Sequence, residues 1–235
     1  MSFVSILLGL AFFAQSDLKL PIHTLVREDF FAGLLAGDMQ TLARGEAKLQ
    51  ELKKTRPEDL AVIQAWESEP IALRATLAYK DGKSAEGDRL FAAAWDLQSS
   101  ALAASPKATG VLAVVGGTWV VIADRLPQEK RTAAWQRALE CYQALLRAQE
   151  PVLQKLPVHH RGELLTGIVM SAQRTGDKPT FEKYFAMAEI TLEGTPYAPL
   201  LSKWKADPGL SDRSNIACKS CHEPGKLANI HAAAR

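Results

Sequence analysis

Cysteine is scarce in this chain: three in 235 residues, at Cys141, Cys218 and Cys221. Three thiols cannot form the disulfide framework that holds small secreted domains together. An excess of one charge is also missing, since 28 Lys and Arg face 26 Asp and Glu, a net +2. Bases alternate with acids, as in Glu46-Ala47-Lys48 and Glu51-Leu52-Lys53-Lys54, and no dense basic tract carries interleaved aromatics. Nucleic acid is therefore not an expected partner. The densest basic cluster, Lys53, Lys54 and Arg56, reads as a solvated helix end. No apolar run approaches the ~20 residues of a membrane-spanning helix. No P-loop, dinucleotide-binding glycine pattern, G-x-S-x-G or H-E-x-x-H occurs, which removes the familiar signatures of nucleotide, serine-hydrolase and zinc-protease chemistry.

The uninterrupted apolar stretch over residues 3–14, FVSILLGLAFFA, has the length of a secretory h-region. No Lys or Arg precedes it, and Ala14 offers a small residue for cleavage. Residues 1–15 are thus expected to be a signal peptide, and the mature protein periplasmic or otherwise exported, with no integral membrane span after signal removal. The alternative is a buried N-terminal helix of the mature fold.

Most of the remaining chain has helical spacing. In 38–55, Met39, Leu42, Leu49 and Leu52 recur at intervals of 3 and 7. Pro57 suits the first turn of a helix reaching Trp66, and 72–79 continues the pattern until Asp81-Gly82. Further helices are predicted over 85–104, 128–149, 163–174 and 179–192, bounded by Pro106, Pro151, Gly176-Asp177 and Gly194-Thr195-Pro196. Short turns of this kind join antiparallel neighbours. The valine-rich 111–123, VLAVVGGTWVVIA, permits strands by propensity. It is predicted to be a buried helix because no partner strand is evident. Cys141 falls between Leu139 and Leu145 in a helical stretch and reads as a small core residue. The five tryptophans and Met170 and Met187 read as core as well.

Residues 73–106 and 164–196 share one plan: a helix, a Gly/Asp turn, a helix carrying aromatics, and a terminal Pro. The first holds Asp81-Gly82, Phe91 and Trp95; the second holds Gly176-Asp177, Phe181, Tyr184 and Phe185. Units of about 34 residues with two antiparallel helices resemble tetratricopeptide-repeat-like proteins. The stretch from Ala138 to Leu146 is similar to the second helix of such a unit. The resemblance implies an all-α fold of antiparallel helical hairpins over 24–206, a true repeat array or an irregular bundle, with a face that takes a peptide or protein partner.

The most specific signal is Cys218-Lys219-Ser220-Cys221-His222. C-x-x-C-H is the attachment signature of a c-type haem: two thiols bond the porphyrin vinyl groups and the imidazole takes an axial iron position. On a helix these three stand at i, i+3 and i+4, so they share one face. Ser211 or Asp212 can cap a helix through 215–221, and Pro224-Gly225 ends it. The motif region, Ala217 to His222, is similar to the cytochrome c′ and c556 group, whose last helix carries the haem. Only thirteen residues, 223–235, follow His222. Upstream helices must therefore supply the pocket wall, or the haem stays exposed. Residues 207–235 are expected to be the haem-binding segment.

For the sixth axial position, His231 is the first candidate, ahead of His159 or His160 and then His23; an open position is the other outcome. Zinc is the rival cofactor, since Cys218, Cys221, His222 and His231 include its ligand types. A dithiol redox pair and a chance occurrence complete the alternatives. His159-His160-Arg161-Gly162-Glu163 is read as a helix start, or as a segment facing the haem. The expected function is single-electron transfer by one covalent haem c with a redox partner protein docked on the helices. The alternatives are a helical interaction module with structural zinc or haem, and a haem gas sensor or peroxidase-like enzyme.

Overall fold

Helical periodicity is realised in every long segment. The computed structural model describes residues 20–213, and among them no strand occurs. The helices are α1 (Ile22–Ala36), α2 (Met39–Thr55), α3 (Leu60–Lys80), α4 (Ser84–Ala104), α5 (Thr109–Ile122), α6 (Gln128–Gln149), α7 (Val158–Thr175), α8 (Lys178–Thr191), α9 (Ala198–Ala206) and the single turn α10 (Leu210–Arg213). Consecutive helices pair as hairpins α1/α2, α3/α4, α5/α6 and α7/α8, and each odd helix from α1 to α7 also packs on the next odd one. The fold is all-α. No described helix is long and apolar enough to cross a membrane.

Two of the hairpin turns use the same device. Gly37 and Gly176 end α1 and α7 at φ 72° and 73°, a left-handed conformation that costs glycine nothing. The next residue caps the following helix. Asp38 accepts from the Thr41 backbone N–H at 3.0 Å, and Asp177 from that of Thr180 at 3.1 Å.

The core is organised by α5. Its residues from Val111 to Ile122 are buried nearly all round, with Trp119 at 0% exposure. A helix apolar on every side belongs in the interior, so valine content did not produce a strand. The glycines of α5 and α7 have a packing reason. The Tyr142 ring of α6 lies against both Gly116 and Gly167, where a Cβ would come within 3.1 Å and 2.7 Å of it.

A tighter approach occurs at Gly162. A Cβ there would stand 2.1 Å from the Tyr197 ring, which is only 4% exposed. Gly162→Ala is expected to destabilise the fold by about 2–3 kcal/mol through overpacking. Gly117→Ala is the control, since its Cβ meets nothing closer than 3.7 Å. That change gains up to about 1 kcal/mol of helix propensity. Denaturant titration of the two variants decides the matter; equal stability would remove the Tyr197 contact from the account.

Two boundaries differ from the sequence reading. The pieces ending at Trp66 and starting at Ala72 are one helix, with Pro70 buried inside α3. Proline removes only one backbone donor, and its φ already suits a helix. Helix α7 starts at Val158, five residues before the expected Glu163. Pro157, at ψ 144°, directs the chain into it, and Gly162 is retained in the helix beneath Tyr197. The core expectations hold for Cys141, Met170, Trp66, Trp119, Trp135 and Trp204, all buried. Burial pushes the Cys141 thiol up to about 12, which leaves no thiolate for redox work. Trp95 is the exception among the tryptophans: it is half-buried, with the Arg137 guanidinium 3.2 Å above its ring centre.

Candidate functional site

The described chain ends at a well-tethered point. Ser211, 1% exposed, donates its hydroxyl proton to Gln173 Oε1 at 2.6 Å and accepts from Arg174 Nη1 at 3.0 Å. Arg174 Nη2 also donates to the Ser211 carbonyl at 2.7 Å. Gln173 serves as a hub: it accepts from Trp204 Nε1 at 3.1 Å and donates to the Pro208 carbonyl at 2.8 Å. Arg174 meets Asp124 at 2.8 Å and lies 5.4 Å over the Trp135 ring. Burial alone would push the Asp124 carboxyl up. Hydrogen bonds from Arg174 and Trp135, and the Arg131 charge, outweigh it and hold the carboxyl below its usual range. Ser211 thus tethers α10 to α7; the helix 215–221 that Ser211 or Asp212 is expected to cap lies outside the described residues.

Arg174→Ala removes its bonds to Ser211 and Asp124 and takes a donor from the carbonyl of buried Ser211. The expected loss is about 2–3 kcal/mol. Limited proteolysis is expected to cut between α9 and α10 faster than in the parent. Unchanged cleavage there would show that the tether is dispensable.

Beside this tether lies a cavity of about 430 Å³ between α7, α8 and α9. Phe181, Phe185 and Trp204 form its aromatic wall, with Phe185 and Trp204 edge-to-face at 5.7 Å. Gln173 and Pro208, both part of the tether, line it as well. Lys178 and Lys205 stand at its exposed margin, paired with Glu182 at 3.6 Å and Glu189 at 2.9 Å. Glu182 and Glu189 line the cavity too, so its margin is two matched acid–base pairs around an apolar aromatic wall. The volume lies within the range of ordinary ligand pockets.

Cys218, Cys221, His222 and His231 lie outside the described residues, as do the expected helix 215–221 and the expected signal peptide 1–15. The other histidine candidates are placed. His159 and His160 sit in the first turn of α7, their ring centres 5.9 Å apart, and His159 Nε2 is 3.6 Å from Glu163 Oε2. Burial, then Arg27 and His160, depresses His23; burial, then His159, depresses His160. Both are therefore neutral at pH 7, the form in which an imidazole can ligate a metal. His159 and His160 stand at the far end of α7 from Gln173, about 20 Å away at 1.5 Å per residue. Among the described residues no group of three or more His, Cys, Asp or Glu could hold a metal ion.

Sequence reasoning missed the cavity and the Gln173 hub. Their residues come from three helices whose proximity is a tertiary fact. It also missed Glu69, fully buried in α3 with Oε2 unpartnered. Here a signal was present, since Glu69 lies three residues after Trp66 and four before Leu73, on the buried face.

No protein-family model, curated protein or solved structure matches the chain.

Proposed function

We propose that the protein is an exported mono-haem c-type electron carrier whose helical body docks a redox partner. The observation that carries the reading is the C-x-x-C-H motif at Cys218, Cys221 and His222. Its chemistry is specific: two thiols for two thioether bonds and an adjacent imidazole for the iron. The apolar stretch 3–14 supports export to a compartment where such haem is attached.

Bound there, the haem supplies one-electron redox chemistry. The chain's own residues set its conditions. Cys218 and Cys221 would fix the group to the tail, and His222 would ligate its iron. A second iron ligand would come from His231, or else from His159 or His160. The helical body offers the docking face.

The test is a pyridine haemochrome spectrum with metal analysis, on protein matured in a host competent for c-type cytochromes. One haem iron per chain is expected. Stoichiometric zinc without haem would replace this reading with a structural metal site. Carbon monoxide binding to the reduced protein then separates the carrier from a sensor or peroxidase-like enzyme: slow, weak binding is expected of a carrier with a sixth protein ligand.

A further inference from the structure

The cavity between α7, α8 and α9 has a lining whose chemistry is uniform inside and balanced at the mouth. Phe181, Phe185 and Trp204 form one continuous aromatic wall. Phe181 and Phe185 lie 5.4 Å apart, and both meet the Trp204 ring edge-on, at 6.3 Å and 5.7 Å. The polar atoms beside that wall are already committed. Gln173 Oε1 accepts from Trp204 Nε1 at 3.1 Å and from the Ser211 hydroxyl at 2.6 Å, and Gln173 Nε2 donates to the Pro208 carbonyl at 2.8 Å. The charges at the margin cancel, since Lys178 pairs with Glu182 and Lys205 with Glu189. An entering molecule therefore meets aromatic rings, no vacant hydrogen-bond acceptor on Gln173, and no excess of either sign.

These features define the chemistry of an occupant. A charged group pressed against the wall would lose its hydration and gain no partner in return, which disfavours ions. Three aromatic side chains reward a ring more than an aliphatic chain of equal area, because ring pairs attract beyond their area burial. An apolar cavity of about 150 Å³ holds a single benzene. At about 430 Å³, and open on one side, this one has room for a larger ring system. We propose that the cavity binds an uncharged aromatic molecule about the size of two fused rings, at a site that stands apart from the haem assignment. The ligand packs on Phe181, Phe185 and Trp204, and the paired charges at the mouth turn away anions and cations alike.

The experiment titrates the full-length protein at pH 7 with three probes that share one ring system: naphthylmethanol, naphthoate and naphthylmethylammonium. Methyl NMR signals are followed for Ala172 and Ala186, which line the cavity, and for Val158 at the other end of α7. The alcohol is expected to saturate a single site, moving Ala172 and Ala186 while Val158 keeps its position. Both ions are expected to bind at least about tenfold more weakly than the alcohol. Ala186 is exposed, so Ala186→Trp fills the mouth without entering the core. In that variant the alcohol is expected to leave Ala172 unmoved, with the unfolding midpoint retained. Ala172 and Ala186 signals that stay still up to the solubility limit of the alcohol overturn the site. Binding of either ion as tight as that of the alcohol overturns the uncharged class. Undiminished binding of the alcohol to the folded Ala186→Trp variant overturns the placement in this cavity.

Discussion

Glu69→Gln makes the protein more stable at pH 8 than its parent, by a margin that grows with pH. Glu69 is 3% exposed, and its Oε2 has no hydrogen-bond partner. Burial pushes its carboxyl well above the ordinary value of 4.5. The folded state therefore keeps the proton after the unfolded chain has released it. With fewer protons bound in the unfolded state, stability falls as pH rises above 4.5. The slope approaches about 1.4 kcal/mol per pH unit until the folded carboxyl itself ionises. Glutamine has the same shape and no charge to lose, so its stability lacks this slope. Urea titrations of both proteins at several pH values isolate the effect, because other titrating groups cancel in the difference. Near pH 4 the two should be close; at pH 8 the variant should lead, by a margin that grows along this slope until the folded carboxyl ionises. A difference that is flat with pH would mean that Glu69 reaches water or a partner.

The second large effect is on the cofactor. Cys218→Ala with Cys221→Ala is expected to abolish covalent haem, while the helical spectrum is retained. Either single substitution keeps one thioether and an unsaturated vinyl group, which displaces the haemochrome band. His222→Ala leaves both thioethers available and takes away the fifth ligand, so the defect moves from attachment to the iron. His231→Ala changes the spin state only if that imidazole coordinates iron. The graded series separates three roles that the motif compresses into five residues. Covalent haem persisting in the double variant would assign the attachment elsewhere.

These two predictions draw on information of different kinds, and the difference marks what the sequence made legible. Helices α2, α4 and α6 were readable to within a residue because their ends carry Asp38, Gly82, Pro106 and Pro127. Helix α5 was readable despite its valines, since an apolar segment without partner strands has only the interior to go to. Helix α3 was legible as a stretch to Trp66 whose pattern continues over 72–79, and the structure joins the two through a buried Pro70. Helix α7 includes His159 to Glu163 in its first turns, as the reading of that segment as a helix start expects, while the Tyr197 ring against Gly162 comes from 35 residues away and is a tertiary fact. The C-x-x-C-H motif is legible because its five residues are consecutive. The cavity is not, because Phe181 and Phe185 share α8 with Trp204 supplied by α9, and Gln173 joins them from α7.

The most direct test of the central claim is the intact mass of the mature wild-type chain, with mapping of its proteolytic peptides. The account predicts polypeptide plus one haem, with the added mass confined to the peptide that contains Cys218 and Cys221. A colourless protein at bare polypeptide mass, from a host that matures other c-type cytochromes, would contradict it.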